Sequence, residues 1–248
     1  MEVLGLDIGG SGIKAAPVDI IKGEFLGERY RLATPQPATP EKMLSTITEI
    51  VDHFNWKGPI GCGFPAVIKN DTVNTAANID ESWIGLNVGK IIHERTGCKT
   101  HMMNDVDAAG LAEMTFGAGI EKKGTVIMMA FGTGIGTSIF TNGDLLPNSE
   151  FGHLILANGK KSETYASNAA RKRNDLSWDE WTNRLNNIIS YMDFLFWPDM
   201  YILGGGVIKE HDQFLHKIKS TAEIVPAKLL NHAGIIGSAL AYEYAEGG

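Results

Sequence analysis

Short apolar runs closed by glycine alternate along this chain with longer stretches whose apolar residues recur every three or four positions. Val3 to Ile8 is the first run. Gly9-Gly-Ser-Gly12 turns it and Ile13 to Val18 returns, which predicts a hairpin with a glycine-rich tip and Lys14 beside it. A third strand is expected around Phe25 to Leu32. Pro35, Pro37 and Pro40 then mark a loop, and Thr39-Pro40-Glu41 has the form of a helix start with proline at the first helical position. Met43, Leu44, Ile47, Ile50, Val51 and Phe54 follow at helical spacing and give one apolar face. Pro59 to Phe64 reads as the next strand. The first third is therefore β-β-β-α-β.

Val73 to Asp80 is polar and turn-rich. A short helix is expected from Val88 to Arg95, stopped by Gly97. Thr100 to Met103 reads as a strand with Asn104 and Asp105 at its end, and Ala108 to Phe116 as a helix. Polar residues at the carboxyl end of a strand, just before a helix, are where α/β proteins place their chemistry. Thr125 to Phe131 and Ile135 to Thr141 predict a second hairpin with a glycine tip, echoing the first and hinting at two related halves. Asn142-Gly143 is a strong turn signal after it. Ser177 begins a long helix with Trp178, Trp181, Leu185, Ile188, Met192 and Leu195 on one side, ended by Pro198. Met200 to Leu203 is a strand closed by Gly204-Gly-Gly206, with a helix from Val207. The last helix, Gly234 to Ala245, is rich in small residues.

The 248 residues suffice for one large domain or two small ones. Composition is that of an ordinary globular chain, and no apolar run approaches the ~20 residues needed to span a bilayer. A net charge of −7 argues against a general nucleic-acid binder, which carries a basic excess. Cys62 and Cys98 have neither a CxxC nor a metal-ligand spacing. With no basic-then-apolar leader in view, a reducing, cytoplasmic setting is expected.

The chemistry concentrates in Phe131 to His153. Glycines at 132, 134 and 136 let the backbone approach a phosphate closely and aim N–H donors at it, with Thr133, Thr137 and Ser138 alongside. Glu150 and His153 follow, and suit a polar small molecule. A tight hairpin with no ligand fits that stretch alone equally well. Among basic residues, Lys122, Lys123, Lys160, Lys161 and Arg171 to Arg173 are the candidates for a polyanion track, and only Arg171-Lys172-Arg173 is carried forward as one. Such runs are usually solvated surface.

Three glycine-rich elements in order, Asp7-Ile-Gly-Gly-Ser-Gly12, Gly132-Thr-Gly-Ile-Gly136 and Gly204-Gly-Gly206, resemble the sugar kinases of the actin-like ATPase superfamily. Within that group the chain resembles the ROK family, in its polyphosphate glucokinase branch. The likeness runs nearly end to end. It takes in Gly63-Phe-Pro65, Asn74 to Asp80 with Trp83, Asn104-Asp-Val-Asp-Ala-Ala-Gly110, Glu150-Phe-Gly-His153 and Ala233-Gly-Ile-Ile-Gly237. Each glycine cluster alone is weak; the ordered set is specific.

That resemblance implies an α/β fold, the two-lobed actin-like ATPase (ribonuclease H-like) architecture with an interlobe cleft that closes on the sugar. The expected lobes are 1–103 plus 233–248, and 104–232. It implies phosphoryl transfer from inorganic polyphosphate, or ATP, to O6 of glucose. Asp105 would be the general base, although an Asp at a strand–helix junction is often simply an N-cap. Asn78, Asn104, Glu150, His153 and Glu163 would hold the sugar. Gly9, Gly10, Ser11, Lys14, Thr133, Gly134, Gly205 and Gly206 would meet the phosphates. Asp7 would face Mg²⁺ through water. Many family members bind a structural zinc through cysteines after the Glu-x-Gly-His motif. Leu154 to Ser162 has none, so no zinc is expected. Ala66 and Val106 depart from the family pattern without visible consequence. A homodimer is implied, with no nucleic-acid or membrane partner. The rivals are a strictly ATP-dependent hexokinase, another hexose or an N-acetylated amino sugar as acceptor, a filament or chaperone of the superfamily, and a sugar-sensing repressor. The last would need a DNA-binding segment ahead of the loop at Asp7.

Overall fold

The computed structural model of the chain describes residues 1–77 and 79–247. Asn78 therefore lies outside the described residues. The chain forms two compact units, Met1–Ala112 with Asn231–Gly248, and Glu113–Leu230.

In the first unit, β1 (Glu2–Gly9) and β2 (Gly12–Asp19) form the expected hairpin, with Ile8 opposite Ile13 and Gly9 opposite Gly12. The third strand is two short ones, β3 (Glu24–Phe25) and β4 (Tyr30–Leu32), both antiparallel to β2. Helix α1 (Pro40–His53) buries Met43, Leu44, Ile47, Ile50 and Val51; Thr39 takes the N-cap position, but its side chain makes no capping bond. Strand β5 (Ile60–Phe64) runs parallel to β1. A minor ribbon, β6 (Ile68–Lys69) with β7 (Thr72–Val73), precedes α2 (Val88–Thr96). Asn87 caps α2, and Gly97 ends it in the left-handed conformation. Strand β8 (Thr100–Asn104) is parallel to β5 and passes directly into α3 (Asp105–Phe116).

The second unit holds β9 (Thr125–Phe131), β10 (Ile135–Thr141), β11 (Asp144–Leu146), α4 (Ser162–Ala166), α5 (Asn168–Arg173), α6 (Trp178–Phe196), β12 (Met200–Gly204) and β13 (Glu223–Pro226). Asn142 and Gly143 both have positive φ, as a two-residue hairpin turn requires. A full capping box of Ser177 and Glu180 starts α6, which buries Trp181, Leu185, Ile188 and Met192. Leu195 was expected on that face but is 54% exposed, because the packed stripe ends at Met192. The helix expected from Val207 is a stretch of 3₁₀ turns, Gly206–Gln213, with non-helical backbone at Glu210.

The two sheets follow one plan. The first runs β3-β2-β1-β5-β8 with β4 also on β2, and the second β11-β10-β9-β12-β13. In both, an antiparallel hairpin is extended on one side by parallel strands and on the other by a short antiparallel one. The echo between the two glycine-tipped hairpins is thus a repeat of topology.

The final helix, α7 (Ala233–Gly247), returns to the first unit. A Cβ on Gly5 would sit 2.1 Å from the Ile235 carbonyl oxygen, and one on Gly61 only 1.9 Å from that of Ser238. Glycines in β1 and β5 thereby let helix backbone lie directly on strand backbone. Ser238 Oγ, at that contact, accepts from Gly63 N–H at 2.9 Å and donates to Gly234 O at 2.6 Å.

Candidate active site

The first glycine tip is braced from below. Thr34 Oγ1 donates to Gly9 O at 2.5 Å, and Arg31 Nη2 donates to Ser11 O at 2.9 Å. Gly10 and Ser11 are exposed, so their backbone N–H groups stand open on a fixed turn. Asp7 and Lys14 face each other across the β1–β2 ladder, and Lys14 Nζ lies 2.7 Å from Asp7 Oδ2. Lys14 is therefore anchored beside the loop by a carboxylate and is not a freely solvated lysine.

At the end of β8, Asn104 caps α3: its Oδ1 accepts from Val106 N–H at 2.9 Å and Asp107 N–H at 3.1 Å. Its Nδ2 donates to Ala66 O at 3.1 Å. That accounts for both acceptor sites and one of its two N–H groups. Asp105 is the first residue of α3 and is half-buried. Its Cα lies 3.4 Å from where a Cβ on Gly63 would be.

In the second unit the Gly132–Gly134 tip, the Glu150–His153 segment and α4 converge. Gly132 N–H bonds Gly134 O at 3.0 Å and closes the tip. Thr137 Oγ1 donates to Ser149 O at 2.9 Å and accepts from Phe151 N–H at 3.3 Å, holding the segment against β10. Ser162 Oγ meets both Phe151 O at 2.8 Å and Leu154 O at 3.0 Å, docking α4 beside it. His153 Nε2 consequently lies 3.7 Å from Glu163 Oε1. Gly134 is so close that a Cβ there would stand 2.5 Å from Glu163 Oε2. The glycine turn thus touches the Glu163 carboxylate, and the His153 imidazole lies beside that carboxylate; both suit hydroxyls.

Glu150 keeps an open edge to solvent, yet the packing around its carboxyl raises its pKa above the ordinary 4.5; Glu163 adds to the rise and His153 opposes it. Gly205 and Gly206 lie at the end of β12, where Gly205 takes φ +85°.

The basic run on α5 is partly committed to structure. The Arg171 guanidinium stacks 4.0 Å over the Trp178 ring centroid and donates to Asn168 Oδ1 at 3.2 Å. Arg173 donates to Thr164 O at 3.3 Å, and Lys172 points to solvent. Sequence reasoning did not single out Thr34, Arg31 or Ser238, which fix the first tip and the sheet–helix contact. Nothing in their spacing marks them.

A family model described as the ROK family matches residues 3–172. A polyphosphate glucokinase of Mycobacterium tuberculosis is 43% identical over 238 residues, covering 96% of this chain and 89% of that protein. The crystal structure of an inorganic polyphosphate/ATP-glucomannokinase from Arthrobacter sp. strain KM superposes with a TM-score of 0.93 at 42% identity, covering 98% of this chain and 99% of that one. A ROK family glucokinase from Streptomyces griseus, solved with glucose and AMPPNP, has a TM-score of 0.84 at 24% identity over 98% and 100% of the two chains, a likeness of fold.

Proposed function

The chain belongs to the ROK family, with its two-lobed actin-like ATPase fold, and from that premise we propose that it transfers a phosphoryl group from inorganic polyphosphate, and also from ATP, to O6 of glucose. The observation that carries the reading is the convergence of Gly134, His153 and Glu163, which sets phosphate donors against a sugar-type acceptor set. The likeness to a polyphosphate glucokinase over 96% of the chain supports the choice of substrates.

A sugar hydroxyl is a poor nucleophile. It must be aligned with the terminal phosphorus, lose its proton and meet a neutralised phosphate. Asp105 accepts that proton, which in a loose transition state leaves late. Glu150, His153 and Glu163, with the remaining N–H of Asn104 and with Asn78, hold the other hydroxyls. Polar groups of this kind, once covered by the sugar, discriminate against one lacking a matching hydroxyl. The N–H groups of Gly9, Gly10, Ser11, Thr133, Gly134, Gly205 and Gly206, with the tethered Lys14, hold the phosphates.

Among the described residues no group of three or more His, Cys, Asp or Glu is placed to hold a metal ion. That donor set does not offer a protein cage. It does fit Mg²⁺ entering with its phosphates and water, which needs only one or two carboxylates. Asp7 would hold it, and it would supply charge neutralisation on the phosphates. The protein is proposed to act in the cytoplasm, consistent with two buried free thiols. It is proposed to act as a homodimer through the exposed end of α6, where Phe194 is 78% and Trp197 79% exposed.

The test is glucose 6-phosphate formation by nucleotide-free protein with Mg²⁺, with long-chain polyphosphate and ATP in parallel and Asp105→Asn as control. Turnover with polyphosphate that the control loses supports donor, acceptor and base together. Turnover with ATP alone removes polyphosphate from the reading. Turnover with neither refutes it.

A further inference from the structure

Glu113 is a buried carboxylate that nothing above uses, with 0% exposure. It lies near the end of α3, whose first residue is Asp105. Its side chain collects three backbone donors. Oε2 accepts from Ala118 N–H at 2.9 Å and Lys228 N–H at 3.1 Å, and Oε1 accepts from Leu229 N–H at 2.7 Å. Its own carbonyl accepts from Gly117 N–H at 3.0 Å and Gly119 N–H at 2.9 Å. The turn after the helix is shaped around this side chain, since a Cβ on Gly117 would stand 2.1 Å from Glu113 Oε2. Two carboxyl oxygens can accept all three N–H groups, which the oxygen and NH₂ of an amide of the same shape cannot.

Its place in the chain gives those bonds meaning. The polypeptide passes between the two units twice, at Ala112–Glu113 and at Leu230–Asn231. Glu113 stands at the first passage, and two of its donors, Lys228 and Leu229, immediately precede the second. Leu230 itself takes φ +51°, a left-handed backbone that a residue with a Cβ adopts only when its surroundings hold it there. Beyond it α7 returns, and Gly237 is so close to α3 that a Cβ there would meet Ala108 O at 1.7 Å. Helix α3 is thus held near its start by α7 and near its end by the segment that leads into α7.

We infer that Glu113 is a positioning residue for phosphoryl transfer: by tying the end of α3 to the segment that leads into α7 it fixes the direction of α3 and with it the placement of Asp105. The inference rests on the reading of Asp105 as the base. Helix α3 is a single rigid element, so a loosened last turn is felt at its first. A misplacement of about 1 Å at a reacting group is worth on the order of 100-fold in rate.

The test compares Glu113→Gln, Gly117→Ala and wild type as full-length protein. Glutamine keeps the shape but turns an NH₂ group against at least one of the three N–H donors. Alanine at 117 pushes on the carboxylate without changing its chemistry. Both are expected to lower kcat about tenfold or more per folded molecule, with the KM for glucose changed less than threefold. Ile188→Val, a mild change in the core of the second unit, should lower Tm while keeping kcat per folded molecule. Hydrogen exchange supplies a readout independent of turnover. In Glu113→Gln the amides of Lys228 and Leu229, and those of Val106 and Asp107 at the other end of α3, should exchange at least tenfold faster. Unchanged protection at Val106 and Asp107, or activity lost only in proportion to lost fold, overturns the inference. A wild-type protein inactive with either donor would refute the functional reading instead, and exchange would still decide the clamp.

Discussion

Replacing Asn104 separates two jobs that its position superimposes. Its Oδ1 caps α3 through two N–H groups, and its Nδ2 satisfies the carbonyl of Ala66, a residue only 4% exposed. Asn104→Ala removes the cap, a loss of about 1 kcal/mol. It also leaves the Ala66 carbonyl without its donor, which costs about 1–3 kcal/mol. The sum is roughly 2–4 kcal/mol. At about 2–4 °C per kcal/mol for a domain of this size, Tm should fall by on the order of 10 °C. Asn104→Ser restores an N-cap acceptor but not the amide donor, so roughly a quarter to a half of that loss should return.

Kinetics then reads the other job. One N–H of Asn104 makes no bond among the described residues and is the only one it can offer a sugar. Loss of one such bond, about 0.5–1.5 kcal/mol, should raise the KM for glucose roughly 3–10-fold in Asn104→Ser. The assay is differential scanning calorimetry with steady-state kinetics on the same three preparations. Equal Tm for Ala and Ser would refute the capping role. A KM for Ser equal to that of wild type would refute the sugar contact and leave Asn104 a structural residue alone.

Gly134→Ala places a Cβ 2.5 Å from Glu163 Oε2, and the flexible carboxylate must yield; the KM for glucose should rise several-fold with Tm nearly unchanged, and an unaltered KM would remove Glu163 from the sugar set. Glu150 binds its proton more tightly in the folded protein than in the unfolded chain, so stability falls as pH rises from 4.5 through its raised value and the loss persists above it. Glu150→Gln should therefore match wild-type Tm below pH 4.5 and exceed it at neutral pH, while binding glucose more weakly; a Tm difference that does not grow with pH contradicts the role of burial. On α5, Arg171→Gln should lower Tm slightly by removing the stack on Trp178. Lys172→Gln with Arg173→Gln should instead raise the polyphosphate KM and flatten its salt dependence, and an unchanged salt dependence would end the idea of a track there.

Both glycine-tipped hairpins were legible because long apolar runs joined by Gly-rich turns have few other ways to fold, and α1, α2 and α6 because helical spacing and end signals agreed. The two-residue strands β3, β6 and β7 were not, since so short a segment carries no period; they exist only by pairing. Val207 onward has helical composition, but the chain kinks at Glu210 and stays 3₁₀. Leu195 continues the α6 stripe in sequence and leaves it in space, because the apolar spacing outruns the core that covers the helix.

The site divides the same way. Residue types that the proposed chemistry would use were visible: the glycines, the Glu150–His153 pair and the aspartate just after a strand. What the sequence could not assign was which of two adjacent polar residues does structural work. Asn104-Asp105 reads as a cap followed by an acid or as an acid serving as its own cap, and either order suits a strand–helix junction. The structure resolves it through Ala66, a partner 38 residues away that no local pattern points to. Once Nδ2 is fixed on that carbonyl, Oδ1 is aimed at the α3 N–H groups. The same logic applies to Lys14, whose register opposite Asp7 is set by Gly9 and Gly12 closing the hairpin. A shift of one residue would turn Lys14 to the other face of the sheet and part it from Asp7. The turn glycines thus set the charge placement as well as the shape of the exposed tip.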